Sequence, residues 1–132
     1  MMKSIYIAGP LFNIADRSYL EHIADVLEEA GFKTFLPHRD VGIIQQLTRE
    51  ERARIFYNDL RALDQYDICV ALLTGPDHDS GTSAELGYCY AKGKPCYGIT
   101  DDTRWLNNFI WGLCNDGKNI VKHPEDLLEK LT

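Results

Sequence analysis

No apolar stretch in this 132-residue sequence approaches the roughly 20 consecutive residues needed to cross a bilayer, so no membrane partner is expected. A basic excess is also missing. The formal net charge is −6, whereas a nucleic-acid binder carries a basic face, so polymeric DNA or RNA is not expected as a partner. None of the four cysteines, at 69, 89, 96 and 114, stands in CxxC spacing with another, and no Cys/His cluster has the spacing of a zinc site. The expectation is therefore no metal, no cofactor, and four reduced thiols in a cytoplasmic protein. No leader peptide is expected, because Met1-Met2-Lys3 runs straight into a short apolar segment that Gly9-Pro10 ends. Repeats, linkers and low-complexity tracts are absent as well.

What is present fits one domain over residues 1–132. Apolar residues make up 45 %, ordinary for a globular chain, and the length supports a single hydrophobic core. Strand-like and helix-like segments alternate. Ser4 to Ala8 reads as a buried strand stopped by Gly9-Pro10. Asn13 caps a helix with an apolar stripe at Leu20, Ile23, Ala24 and Leu27, and Gly31 ends it. Phe32 to Leu36 is a second strand, closed by Pro37 and followed by a polar loop over 38–42. Thr48 with Glu51 makes a capping box for a helix to about Leu63. Asp67 to Leu73 is a third strand, apolar throughout from Ile68, as in a parallel sheet covered on both faces, and Gly75-Pro76 ends it. A helix from Gly81 to Lys92, a strand from Pro95 to Thr100, a helix from Trp105 to Cys114, a strand from Asn119 to Val121 and a helix from Glu125 to Leu131 complete the pattern. Five strands alternating with five helices predict an α/β fold: one doubly wound, mostly parallel five-stranded sheet with helices on both faces, flavodoxin- or Rossmann-like.

Ligands of such sheets bind beyond the carboxyl ends of the strands. The segments expected there are Gly9 to Phe12, Pro37 to Asp40, and Asp77 to Thr82. The last leads into Gly81-Thr82-Ser83-Ala84-Glu85-Leu86-Gly87. Gly81 would let a ligand approach the backbone. Glu85, read as lying in a first helical turn, would be held ionised by the helix N-terminus, the state a nucleophile needs. Gly87 costs about 1 kcal/mol in a helix interior, which predicts a close approach by a neighbouring helix or a ligand. The plainer alternative is that Asp79 and Glu85 are simply acids at a helix start.

The motif Asp-x-Gly-Thr-x-x-Glu-Leu-Gly-Tyr over 79–88, with Ile-Tyr-Ile-Ala-Gly-Pro-Leu-Phe over 5–12, resembles the nucleoside 2-deoxyribosyltransferase family. The order and spacing of Asn58-Asp59-Leu60, of Ala91 to Pro95 and of Asn107 to Gly112 fit the same pattern. The resemblance implies transfer of a 2-deoxyribosyl group between nucleobases, with hydrolysis as a side reaction. Its partners are 2-deoxynucleosides and free nucleobases. It implies Glu85 as the nucleophile on C1′, Tyr6 orienting that carboxylate, and Asp59 as the acid at the departing base, with a pKa raised by burial or by nearby carboxylates. Asp79 would bind sugar hydroxyls, and Phe12 would face base or sugar. Asn107, with Asn108 as the alternative, would reach from a neighbouring subunit to the sugar 5′-hydroxyl, making the active protein a homo-oligomer with a shared site. Gly9, Gly81 and Asp40 complete the candidate contacts. Tyr6 could equally be a core tyrosine, Asp59 a solvated helix acid, Asn107 a helix cap, and His38-Arg39-Asp40 an ordinary loop.

Rival readings remain. A 2-deoxynucleoside 5′-phosphate N-hydrolase resembles this chain, but carries serine at the place of Asp79 and a Gly/Arg-rich loop after the first strand. A phosphoribohydrolase of the lysine-decarboxylase-like family needs Pro-Gly-Gly where Asp77 to Ser80 stand. A non-catalytic nucleoside- or nucleotide-binding module shares the fold class; a receiver domain would want an acidic pair where Gly9-Pro10 stand.

Overall fold

The computed structural model describes residues 3–43, 45–75 and 77–132; Met1 and Met2, read above for a leader, and Pro76, read as part of a strand stop, lie outside them. The strands are β1 (Ser4–Ala8), β2 (Lys33–Phe35), β3 (Ile68–Leu72), β4 (Cys96–Ile99) and β5 (Ile120–Val121). The helices are α1 (Ile14–Glu29), α2 (Pro37–Asp40), α3 (Arg49–Gln65), α4 (Ser80–Ala91), α5 (Asn108–Leu113) and α6 (Leu127–Leu131). The strands form one sheet in the order β2-β1-β3-β4-β5, and every pairing is parallel. This is the predicted α/β sheet.

Strand alternation sorts the side chains onto two faces. Ile5, Ile7, Ile68, Val70 and Leu72 meet Leu20, Ile23 and Leu27 of α1 and Leu127 of α6. Tyr6, Ala8, Cys69, Ala71 and Cys96 face the opposite side and pack on α3, α4 and α5. All four cysteines are buried in that second layer as free thiols. Lys94, just before β4, is tied to the end of α3, its Nζ donating to the Asp64 carbonyl at 2.7 Å. Among the described residues no helix is long and apolar enough to cross a membrane.

Three local readings change. Residues 37–40 are not a loop but one helical turn: Pro37 presets the first helical position, and Asp40 Oδ2 accepts the Leu36 N–H at 2.9 Å. Residues 105–114 are not one helix. A 3₁₀ turn over Thr103–Trp105 gives way to extended backbone at Leu106 and Asn107, and Asn107 starts α5 by accepting from the Phe109 and Ile110 N–H groups at 2.8 and 3.1 Å. The last helix likewise opens with a 3₁₀ turn, Pro124–Asp126, before α6.

Candidate active site

Strand order reverses between β1 and β3, and in doubly wound sheets the ligand crevice opens at such a point. Here it is a cleft of about 660 Å³, walled by the loop after β1, by α3 and by the start of α4. Three ionisable side chains line it, Asp59, Asp79 and Glu85, and no Lys, Arg or His is among the lining residues described.

Tyr6 does not itself line the cleft; it lies buried behind Glu85, which does. Its ring is fully buried and stacked on Phe35 with centroids 5.2 Å apart, and its hydroxyl donates to Glu85 Oε2. Glu85 is the sixth residue of α4, because the helix begins at Ser80 with Asp79 as its cap. The expected first-turn position, and the ionised resting state inferred from it, are therefore corrected. Burial pushes the Glu85 carboxyl up to about 8; the Tyr6 hydrogen bond opposes this, and the charges of Asp59 and Asp79 add to it. Burial thus favours the protonated form of Glu85. The same surroundings push the Tyr6 hydroxyl upward, burial first and Glu85 second, so it remains a donor.

Asp59 comes from α3 and lines the same cleft. Burial raises its carboxyl to about 6, the direction a proton donor needs, and its Oδ1 is buried with no hydrogen-bond partner among the described residues. A buried acceptor left without a partner costs about 1–3 kcal/mol, so its place in the cleft calls for an explanation. Asp79 Oδ2 is engaged as the α4 cap, accepting from the Thr82 N–H at 2.9 Å and the Thr82 hydroxyl at 2.7 Å.

Gly9, Phe12 and Gly81 also border the cleft, with Phe12 at the rim, 84 % exposed. Gly9 answers to packing as well as to the cleft: a Cβ there would stand 2.4 Å from Leu20 Cδ2. At Gly81 a Cβ would make only ordinary contact with Asp79, so the space in front of it is open. The close approach expected at Gly87 is not made by this chain, since a Cβ there meets nothing within 4 Å.

Asp40 is not brought into the cleft. It is held away by the Leu36 N–H and by an ion pair with Arg39 at 2.9 Å. Asn107 and Asn108 do not line the cleft either. The Asn107 side chain serves as the α5 cap, and Asn108 borders a separate groove with Trp111. Sequence reasoning missed the apolar wall, Ile55, Phe56, Leu60 and Leu63 on α3 with Leu11 and Ile43 opposite. Its signal was available as the i, i+4 spacing of Ile55-Asp59-Leu63 and Phe56-Leu60, which places these side chains on the face of α3 that carries Asp59. Thr82 was also missed.

Comparison with known proteins bears on the family and the fold. In fold, a conserved protein from Enterococcus faecalis V583 matches with TM-score 0.85 at 28 % identity, covering 99 % of this chain and 98 % of that one. A 2-deoxyribosyltransferase from Bacillus psychrosaccharolyticus matches with TM-score 0.80 at 26 % identity, covering 94 % and 89 %. In sequence, an uncharacterized Ureaplasma parvum protein is 30 % identical over 96 % of this chain and 92 % of its own. A Thermofilum pendens protein named for 2′-deoxynucleoside 5′-phosphate N-hydrolase activity is 25 % identical over 96 % and 91 %. An uncharacterized protein of Schizosaccharomyces pombe is 29 % identical over 76 % of this chain, which spans about half (51 %) of that relative's length. The family model for nucleoside 2-deoxyribosyltransferase matches residues 5–125, nearly the whole chain, and the chain belongs to that family.

Proposed function

We propose that this protein transfers the 2-deoxyribosyl group between nucleobases through an ester on Glu85. The observation that carries this reading is the pairing, across one cleft, of a Tyr6-held glutamate with an aspartate whose buried Oδ1 has no partner. Two carboxyls flanking a scissile bond are the machinery of retaining glycoside cleavage. Tyr6 engages Oε2 of Glu85, leaving Oε1 to attack C1′. As the C1′–O bond forms, the C1′–N bond breaks and its electron pair goes to the base nitrogen. Asp59 delivers the proton that nitrogen needs. An incoming base nitrogen then attacks C1′ and gives its proton to Asp59, the ester bond breaks, Glu85 is regenerated as a carboxylate, and the two inversions give net retention. Water in place of the second base gives hydrolysis.

A free nucleoside fits the cleft better than a nucleotide. A dianionic phosphate would meet three carboxyls and no cation among the described lining residues. This favours transfer or hydrolysis of nucleosides over the 5′-phosphate hydrolysis named for the Thermofilum relative. The oligomer remains part of the proposal: Trp105, Phe109 and Trp111, beside the two asparagines, are 58 %, 74 % and 42 % exposed, an apolar surface suited to a neighbouring subunit. The test is incubation with deoxyinosine or its 5′-phosphate, with and without adenine, followed by chromatography. Deoxyadenosine formed from deoxyinosine supports the reading. Faster base release from the 5′-phosphate, or no release from either, overturns it.

A further inference from the structure

The start of α4 holds one side chain that is neither core filler nor part of the cleft wall. Thr82 is a buried polar residue, 1 % exposed. Both of its donors go to a single acceptor: its N–H and its hydroxyl reach Asp79 Oδ2 at 2.9 and 2.7 Å. The Asp79 carbonyl is fixed too, accepting from the Ser83 N–H and the Ser83 hydroxyl, each at 3.0 Å. Asp79 Oδ1, by contrast, takes no hydrogen bond among the described residues, although Asp79 lines the cleft.

An aspartate cap needs only one backbone N–H to start a helix. The added hydroxyl does something the cap does not require. With two donors converging on Oδ2, the carboxylate plane can no longer turn about its Cβ–Cγ bond without losing one of them. A charge-assisted O–H···O⁻ bond is among the stronger side-chain bonds, and a buried hydroxyl that lost it would find no water to replace it.

We infer that Thr82 is a positioning residue for substrate recognition: its hydroxyl pins Asp79 Oδ2 so that Oδ1 alone faces the cleft, where it accepts one hydroxyl of the sugar. The inference rests on the function proposed above and adds to it a residue that acts through Asp79 without touching substrate. Pinning also makes recognition selective. A freely turning carboxylate could accept from two hydroxyls in several geometries, whereas a pinned one offers a single oxygen in one direction.

The test compares Thr82→Val, which keeps shape and removes the hydroxyl, with Thr82→Ser, which restores it. Each is measured in the natural background and in Asp79→Ala, by single-turnover and steady-state base release from deoxyinosine, with thermal melts confirming the fold. Thr82→Val is expected to lose about tenfold or more in kcat/KM, mainly through KM, and Thr82→Ser to recover most of it. In the Asp79→Ala background, Thr82→Val is expected to change kcat/KM by less than about twofold, because the interaction it removes is already gone. On deoxyinosine analogues lacking the 3′- or the 5′-hydroxyl, the Thr82→Val loss should shrink for one analogue and persist for the other. Loss of equal size in both backgrounds would mark Thr82 as merely structural and overturn the inference. So would natural activity in Thr82→Val. Both results leave the proposed function standing, whereas a natural protein inactive on every 2-deoxynucleoside removes the function and the inference together.

Discussion

The hydroxyl of Tyr6 donates to Oε2 of Glu85, joining the inner strand β1 to the second turn of α4 beneath the cleft. This bond opposes the burial that raises the Glu85 carboxyl to about 8, so it favours the ionised form that attacks. In Tyr6→Phe the ring can keep its stacking on Phe35 while the donor is lost. The Glu85 carboxyl then rises further. The expected outcome is a fall of roughly tenfold or more in base release at neutral pH, as for a lost hydrogen bond to a charged group, with the alkaline break of the pH–rate profile, which follows Glu85, moved to higher pH. An unchanged profile would contradict the assigned role of Tyr6.

Glu85 near 8 and Asp59 near 6 set the pH dependence. The reactive form needs Glu85 ionised and Asp59 protonated, the reverse of the order in which the two titrate. Below about 6 activity should rise with pH as Glu85 loses its proton, between 6 and 8 it should be nearly flat, and above 8 it should fall as protonated Asp59 becomes scarce. These limits belong to the pair, since the two carboxyls interact. Asp59→Asn should abolish the alkaline fall and lower the rate most for poor leaving bases. Profiles of kcat/KM for the natural protein and the variant check both points.

How much of this could be read from the sequence depends on distance along the chain. The alternation of Ile5, Tyr6, Ile7 and Ala8 and the caps at Asn13 and Thr48 are local signals, and sheet, helices and capping residues follow them. Asp79 and Glu85 were legible for the same reason, lying six residues apart in one motif. The state of Glu85 was not. It depends on burial and on Tyr6, 79 residues away in sequence, and Glu85 is the sixth residue of α4, beyond the first turn in which the helix-start argument counted it. Asp40 was misplaced because Pro37 starts a turn whose closure consumes that very carboxylate. The open face at Gly87 has no explanation within this chain.

Burial of Glu85 carries a cost to the fold. Its folded pKa is raised, so the folded protein binds more protons than the unfolded chain between about 4.5 and 8, and stability falls as pH rises through that window. Glu85→Gln keeps shape and removes the titration. The variant should melt several degrees higher than the natural protein above pH 8, with the difference vanishing below about pH 4.5. Thermal melts at the two pH values check this; equal melting at high pH would mean that Glu85 is not desolvated.

The shared-site proposal can be tested without disturbing α5. Asn107→Ala would remove a helix cap, worth about 1 kcal/mol, and confuse the result. Asn107→Asp keeps the capping oxygen while removing the amide donor, and Asn108→Ala leaves the cap alone. Chains carrying both changes, mixed with Glu85→Ala chains under exchange conditions, should recover activity that neither has alone, because a hybrid contains one site with both groups intact. Light scattering should give two or more subunits. A fully active monomer, or no recovery despite proven exchange, would remove the shared site.

The central claim is a covalent bond between sugar and Glu85. The most direct measurement is mass spectrometry of protein quenched in acid during turnover of deoxyinosine without an acceptor base, followed by peptide mapping. The account predicts a mass increase of one 2-deoxyribosyl group on the peptide containing Glu85, chased away by added adenine as deoxyadenosine appears, and absent in Glu85→Ala. Base release at the natural rate with no such adduct, or an adduct that adenine does not discharge, would contradict it.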